Sequence, residues 1–133
     1  MSVGGMGLVN REDIKNYVFE TYGLKAVQPW PETPNNEVLR HDSNKKWFGI
    51  LMDIPGRKVG LSSDEVIDVL NVKCDPQMTA LLKSQPGFAP AYHMNKVHWI
   101  SILLTGSVPD ETIYQLLDFS YDLTVRRRAK GNM

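Results

Sequence analysis

Cysteine is almost absent from this chain of 133 residues, in which Cys74 stands alone. A lone cysteine excludes an internal disulfide and is typical of a reducing compartment, so we expect a cytoplasmic protein. The strand-like sequence around Cys74 predicts a buried, inert thiol. Long hydrophobic runs are also missing, since no apolar stretch approaches the roughly 20 residues of a membrane-spanning helix. The glycine-rich start has neither the charged nor the apolar region of a signal peptide.

An excess of either charge is missing as well, because 15 basic and 15 acidic residues give a formal net charge of zero. Dedicated nucleic-acid-binding domains usually have a strongly basic surface, so any such surface here must be local. Hydrophobic residues make up 42% and charged residues 23% of the chain, which indicates a globular domain and not a disordered one.

Motifs for metal binding and catalysis are not recognisable either. Two of the three histidines, His93 and His98, lie five positions apart, which fits neither one face of a helix nor one face of a strand. The chain has no zinc-ligand spacing, nucleophile elbow, Walker motif or dinucleotide-binding glycine pattern. A Cys–His or Ser–His pair brought together by the fold stays open. We expect no metal, no cofactor and no enzymatic activity.

The order of helix and strand signals predicts the fold. Asn10 as N-cap and Gly23 as terminator define the first helix, and Asp75 is the predicted N-cap of the second. We predict helices at 10–22, 75–87 and 108–128, and strands at 37–41, 46–54, 66–74 and 98–105. Hairpin-linked strands between terminal helices favour an α+β fold, a two-layer α/β sandwich with both terminal helices packed on one face of an antiparallel sheet. The expected domain spans 10–128, between a flexible N-terminus (1–9) and a basic C-terminal tail (129–133).

Two local patterns give more detailed expectations. The alternating apolar residues of the second strand are predicted to share one face: Phe48, Ile50, Met52 and Ile54. We expect one buried cluster of Phe48, Ile50, Ile102 and Leu116. Before the last helix, Ser107 and Asp110 form an S-x-x-D pattern that is typical of a capped helix start.

The segment "AYHMNKVHWISI" (91–102) concentrates polar and aromatic residues before the last strand. It could form a catalytic or metal site, a surface that binds a polyanion, or a structural corner. The structural corner is favoured, because irregular backbone leaves amide and carbonyl groups that Asn and His side chains can satisfy. Trp99 combines a large apolar area with one N–H donor, which suits a strand half covered by a helix.

The longer stretch "PAYHMNKVHWISILLTGSVPDETIYQLLDFSYDLT" (90–124) resembles the signature half of the MmcQ/YjbR family. The family pattern combines a proline–aromatic–HMNK stretch, HW, a strand, a G-S-V-P-D turn and an SY-containing final helix. "PW" (29–30) and "VKCDP" (72–76) are also similar to members of the family. The resemblance implies a frataxin-like (CyaY-like) fold, also described as a double-wing domain, for which DNA binding has been proposed.

Frataxin's iron chemistry is not expected to accompany the fold. That chemistry depends on a dense acidic ridge along the first helix and the sheet edge. The first helix of this chain offers few carboxylates, and they lie beside basic residues: Glu12, Asp13 and Glu20 with Arg11 and Lys15.

The function that we expect first, as the resemblance implies, is weak and largely phosphate-directed binding of double-stranded DNA. A few local cations must carry it, because the chain has no net charge to contribute. The candidate residues lie in the turns and in the HMNK segment: Lys45, Lys46, Arg57, Lys58, Asn95, Lys96 and His98. The cations would contact phosphate, while Asn95 and His98 would hydrogen-bond to bases or backbone. Arg126–Arg128 is a weaker candidate, because cations there also stabilise the C-terminal end of the last helix.

The alternative function is a small-ligand- or protein-binding module, and an enzyme comes third. The pocket of such a module would lie beside the HMNK–HW segment, under the Pro-rich loop at 28–36. Its predicted lining residues are Tyr92, His93, Asn95, His98 and Trp99.

Overall fold

Three α-helices, one short 3-10 helix (Gly56–Val59) and five strands form within residues 8–125, the part of the chain that the computed structural model describes. The helices are α1 (Arg11–Tyr22), α2 (Pro76–Leu82) and α3 (Asp110–Thr124). The strands are β1 (Glu37–Arg40), β2 (Trp47–Pro55), β3 (Val66–Lys73), β4 (Phe88–Pro90) and β5 (Trp99–Leu103). No helix in this part of the chain is long and apolar enough to cross a membrane.

The sequence predictions for both termini fall largely outside the described residues. The basic tail and the Arg126–Arg128 run lie beyond them, as do the first seven residues of the predicted flexible N-terminus. Val9 is described and is buried in the core. Packing therefore reaches one residue beyond the predicted start of the domain.

The strands form one antiparallel sheet in the order β1-β2-β3-β5-β4. This arrangement confirms the predicted α+β class. Strand β4 was not predicted, because three residues ending in a proline carry no period-two signal. Its place at the edge of the sheet suits Pro90, since an edge strand tolerates a residue without a backbone N–H.

The N-caps predicted for α1 and α2, Asn10 and Asp75, are both confirmed. The Asn10 side chain accepts the Asp13 N–H at 2.9 Å, and the Asp13 carboxylate accepts the Asn10 N–H at 3.1 Å, which completes a capping box. Asp75 accepts the Met78 N–H at 2.9 Å in front of α2. Gly23 ends α1 with a φ of 72°, in the left-handed region that favours glycine.

The predicted S-x-x-D cap of the last helix is wrong. Helix α3 begins at Asp110 behind Pro109 and has no side-chain cap. The Asp110 carboxylate instead accepts the Val9 N–H at 3.3 Å. This carboxylate therefore makes a tertiary contact and not the local cap that the S-x-x-D pattern predicts. The predicted ends also shift, because α2 stops at Leu82 and Val125 is already extended after α3.

Helices α1 and α3 pack on the same face of the sheet, as predicted. Ile14 of α1 and Leu117 of α3 lie in one cluster with sheet residues such as Leu51. We call this the helix face. The opposite face, the second face, carries a separate apolar cluster built on Ile50 and Val69. Among residues 8–125 no α-helix contributes to that cluster, so loops and the short 3-10 helix that contains Val59 cover the second face.

A β-bulge in β2 overturns the prediction that Phe48 and Ile50 share one face. Leu39 pairs with Gly49 and Arg40 pairs with Trp47, so Phe48 is an extra residue without a partner in β1. An extra residue reverses the alternation of side chains along a strand. Phe48 therefore packs on the helix face with Ile102 and Leu116, whereas Ile50 lies on the second face with Met52 and Ile54.

The bulge is connected to α3 through one buried hydroxyl. The Ser120 hydroxyl donates to the Phe48 carbonyl at 2.6 Å, and its oxygen accepts the Lys73 N–H at 2.8 Å. The pairing of β2 with β3 stops at Gly49 and Val72, one residue short of Phe48 and Lys73. Ser120 thus supplies the hydrogen-bond partners that the interrupted ladder does not provide.

Candidate functional site

The HMNK segment is held on the second face by two buried polar side chains. Asn71 of β3 and Ser101 of β5 are paired across the sheet, and both are fully buried. The Asn71 amide donates to the Tyr92 carbonyl at 3.0 Å, and the Tyr92 N–H donates to the Ser101 oxygen at 3.0 Å. The Ser101 hydroxyl donates to the Asn71 side-chain oxygen at 2.5 Å, so these polar groups satisfy one another.

Several predicted site residues use their polar atoms inside the segment itself. The Asn95 side-chain oxygen accepts the N–H groups of Val97 and His98 at 2.9 and 3.0 Å. The Lys96 ammonium donates to the Ala91 carbonyl at 2.6 Å. His93 has a positive φ of 63°. These contacts describe a well-bonded corner that forms a wall over the second face.

An open groove of about 430 Å³ lies between this corner and the Pro-rich loop. Its lining consists of Trp30, Glu32, Thr33, Asn36, Trp47, Ile50, Met52, His93 and Met94. Trp30 and Trp47 come from the loop and from the start of β2. Their ring centroids are 5.8 Å apart, with an angle of 82° between the ring planes. The groove therefore has an aromatic side and an apolar floor, with a few polar groups around it.

The predicted pocket residues contribute to this groove only through His93. The Tyr92 ring lies tilted against that of His93, with 4.0 Å between ring centroids and 46° between the planes, and packs on the second-face cluster. Trp99 is buried, and Asn95 and His98 are exposed outside the lining. Sequence reasoning missed both groove tryptophans, although each follows a distinctive neighbour, in "PW" and "KKW".

The predicted DNA-binding cations divide between the two ends of the sheet. Lys45 and Lys46 directly precede β2, whereas Arg57 and Lys58 lie in the short 3-10 helix that follows it. Nine residues of strand place the two pairs about 26 Å apart. The Arg57 side chain also forms an ion pair with Asp64 at 3.0 Å. The expected set of cations therefore does not form one surface.

Lys96 and His98 lie at the same end as Lys45 and Lys46. Strands β2 and β5 both run antiparallel to β3, so they start at the same end of the sheet. Lys96 and His98 directly precede β5. With Asn95, which accepts the His98 N–H, this end of the sheet brings together five of the seven predicted residues, all of them exposed.

Two titratable side chains outside the groove, Cys74 and His41, are buried in the core. Burial, with a smaller contribution from Asp75, raises the pKa of the Cys74 thiol to about 11, so the thiol stays protonated at neutral pH. Burial also lowers the pKa of His41, whose Nε2 lies 2.8 Å from the Thr124 hydroxyl oxygen. Within residues 8–125 no group of three or more His, Cys, Asp or Glu side chains is arranged to hold a metal ion.

Comparisons with known proteins place this fold in a family. The YjbR family model matches residues 8–123. The uncharacterized protein YyaQ of Bacillus subtilis (strain 168) is 44% identical over 117 residues, covering 88% of this chain and 99% of that protein. The uncharacterized protein YjbR of Escherichia coli (strain K12) is 40% identical over 57 residues, covering 42% of this chain and 48% of that protein.

Solved structures agree with the family match. A crystal structure of a Pseudomonas syringae protein has a TM-score of 0.86 and 40% identity, covering 88% of this chain and all of that one. A Deinococcus radiodurans protein with a DUF419 domain has a TM-score of 0.68 at 23% identity, covering 91% and 82% of the two chains, and shares the fold. The molecule is thus an α+β fold in which α1 and α3 pack on the same face of an antiparallel sheet. The chain belongs to the YjbR family, which confirms the resemblance drawn from the sequence.

Proposed function

We propose that this YjbR-family chain is a non-catalytic binding domain whose ligand occupies the groove between Trp30 and Trp47. The observation that supports it most is the meeting of two half-buried indoles, from separate elements, beside an open space with an apolar floor. Ligand sites are typically concave, mostly apolar and marked by a few placed polar groups. The single buried thiol supports action in a reducing cytoplasm.

The polar groups of the groove favour binding over catalysis. Nucleophilic catalysis generally requires a nucleophile within hydrogen-bonding reach of a base. In the described part of the chain, no hydrogen bond joins His93 to a hydroxyl, a thiol or a carboxylate, so the groove's histidine has no such partner. His93 and the neighbouring Asn36 instead offer hydrogen bonds that would orient a bound molecule.

The three tryptophans allow a direct test of the groove. In protein labelled with fluorotryptophan, a neutral apolar probe such as cyclohexanol is expected to shift the ¹⁹F resonances of Trp30 and Trp47. The resonance of Trp99 should stay in place, because Trp99 is buried outside the groove lining. Perturbation of Trp99 alone, or of no tryptophan at millimolar probe, would contradict the proposal.

A matched pair of variants assigns the binding to the groove. Trp30→Ala removes one aromatic side and should weaken probe binding, read from the Trp47 resonance, by about tenfold, the effect of losing roughly 1–2 kcal/mol of apolar contact. Phe119→Ala removes an exposed aromatic from α3, on the helix side of the sheet, and should leave the affinity unchanged. Equal weakening by both variants would argue against the groove.

Weak binding of double-stranded DNA is a second candidate, supported by the gathering of Lys45, Lys46, Lys96 and His98 at one end of the sheet. Three lysine–phosphate contacts would give a log–log salt slope of about −2.7. Neutralising Lys45 and Lys46 together, as Gln, should flatten the slope by about 1.8. Lys96 is left intact in this test because its ammonium also holds the HMNK segment.

The opposite end of the sheet supplies the control for the salt titration. Neutralising Arg57 and Lys58 as Gln should leave both the affinity and the slope unchanged, because these residues lie about 26 Å away along β2. A duplex that does not bind at low salt, or binding that responds equally to both double variants, would reject DNA contact at the Lys45–Lys96 end.

A further inference from the structure

The charge and the aromatic rings of the groove point to one class of ligand. We infer that the groove selects an organic ammonium cation with an alkylated head, and this inference rests on the proposed binding function of the groove. The juxtaposition that supports it consists of two perpendicular indoles, one carboxylate and a thioether-lined floor.

The two indoles supply the electrostatic preference. An aromatic face carries partial negative charge and attracts a cation that lies within about 6 Å of the ring centroid. The centroids of Trp30 and Trp47 are 5.8 Å apart and the ring planes meet at 82°. The two rings meet in an edge-type arrangement and both line the groove, so an ammonium head in the groove lies within reach of both indoles.

The charged groups around the two indoles also favour a positively charged ligand. Glu32 brings a carboxylate into the lining, and no lysine or arginine among the described residues lines the groove. Within residues 8–125 Glu32 forms no ion pair, so its charge is not cancelled by a neighbouring cation. His93 is the one lining side chain among the described residues that can carry positive charge.

The floor of the groove indicates that the cationic head is alkylated. Ile50 and Met52 of the second-face cluster form it, and Met94 lines the adjoining wall and packs against the same cluster. A primary ammonium would lose hydration against such a surface without gaining enough hydrogen bonds. Methyl groups around the nitrogen avoid that loss and pack well against adaptable methionine side chains.

Choline and 3,3-dimethylbutan-1-ol provide matched probes, because they have nearly the same shape and differ in charge. In the fluorotryptophan titration at pH 8, choline is expected to bind at least about fivefold more tightly than the neutral alcohol. Glu32→Gln keeps the shape of the side chain and should bring the two affinities closer together. Glu65→Gln changes an exposed carboxylate at the far end of β2 and should preserve the difference.

The outcomes separate this inference from the proposed function. Equal binding of choline and the alcohol would overturn the selection of a cation and would leave the groove as a binding site. Binding of neither probe would also overturn the inference, while the cyclohexanol titration decides the proposed function independently. A preference for choline that is the same in the wild type, Glu32→Gln and Trp47→Leu would show that the cation binds elsewhere, and would overturn it too.

Discussion

Replacing Ser120 with alanine is expected to lower the free energy of unfolding by about 2–5 kcal/mol, because one buried and one half-buried backbone group lose their partner at once. The Phe48 carbonyl and the Lys73 N–H both depend on the Ser120 hydroxyl, and the interrupted β2–β3 ladder offers no replacement. Chemical denaturation of the two proteins, compared at equal slope, measures the difference.

Gln115→Ala is the matched control for this prediction, since Gln115 is exposed on the same helix and the substitution also shortens a polar side chain. Its effect should stay within about 0.5 kcal/mol of the wild type. Loss of less than about 1 kcal/mol in Ser120→Ala would mean that water or a shift of the bulge satisfies both groups, contrary to the role assigned to this hydroxyl.

Asn71→Ala is expected to destabilise the fold by about 2–4 kcal/mol and to release the HMNK segment from the second face. The substitution removes the donor to the Tyr92 carbonyl and the acceptor of the Ser101 hydroxyl, both of which lie at the base of the segment. Amide hydrogen exchange should show faster exchange at Tyr92, whose N–H donates to Ser101, while exchange in α1 follows only the global loss of stability.

Asn71→Asp refines this second prediction. A carboxylate can still accept from Ser101 but cannot donate to the Tyr92 carbonyl, so the segment should loosen although the size of the side chain hardly changes. Because His93 and Met94 form one wall of the groove, binding of cyclohexanol should weaken in both variants. Unchanged exchange at Tyr92 in both proteins would show that the segment is held by other contacts.

Local signals explain how much of the fold the sequence predicts. The Asn10 box, the Gly23 terminator and the Asp75 cap act within a few residues, so their outcome does not depend on the rest of the molecule. The α+β class follows from the order of such elements. The cap at Ser107 fails for the opposite reason, because its Asp110 partner bonds to Val9, a residue 101 positions away in sequence.

Non-local pairing explains what the sequence does not predict. Strand β4 forms by pairing with β5 at the edge of the sheet, and its three residues carry no sequence signal for that pairing. The bulge at Phe48 appears only when β1 and β2 pair. The groove depends on a Pro-rich loop that carries Trp30 meeting a strand that carries Trp47, and neither surrounding sequence predicts the other. The segment at 91–102 attracts attention in the sequence, yet most of its polar groups serve backbone geometry.

The bulge at Phe48 determines more than the helix-side core. In a regular strand Trp47 would point the same way as Gly49 and Leu51, toward the helices. The extra residue reverses this direction, and Trp47 packs with Ile50 and Met52 on the opposite side. Deleting one residue at this position would rotate the indole out of the groove without changing any residue that lines it. The aromatic corner is thus a product of strand register, and a family member could gain or lose it through a single insertion or deletion.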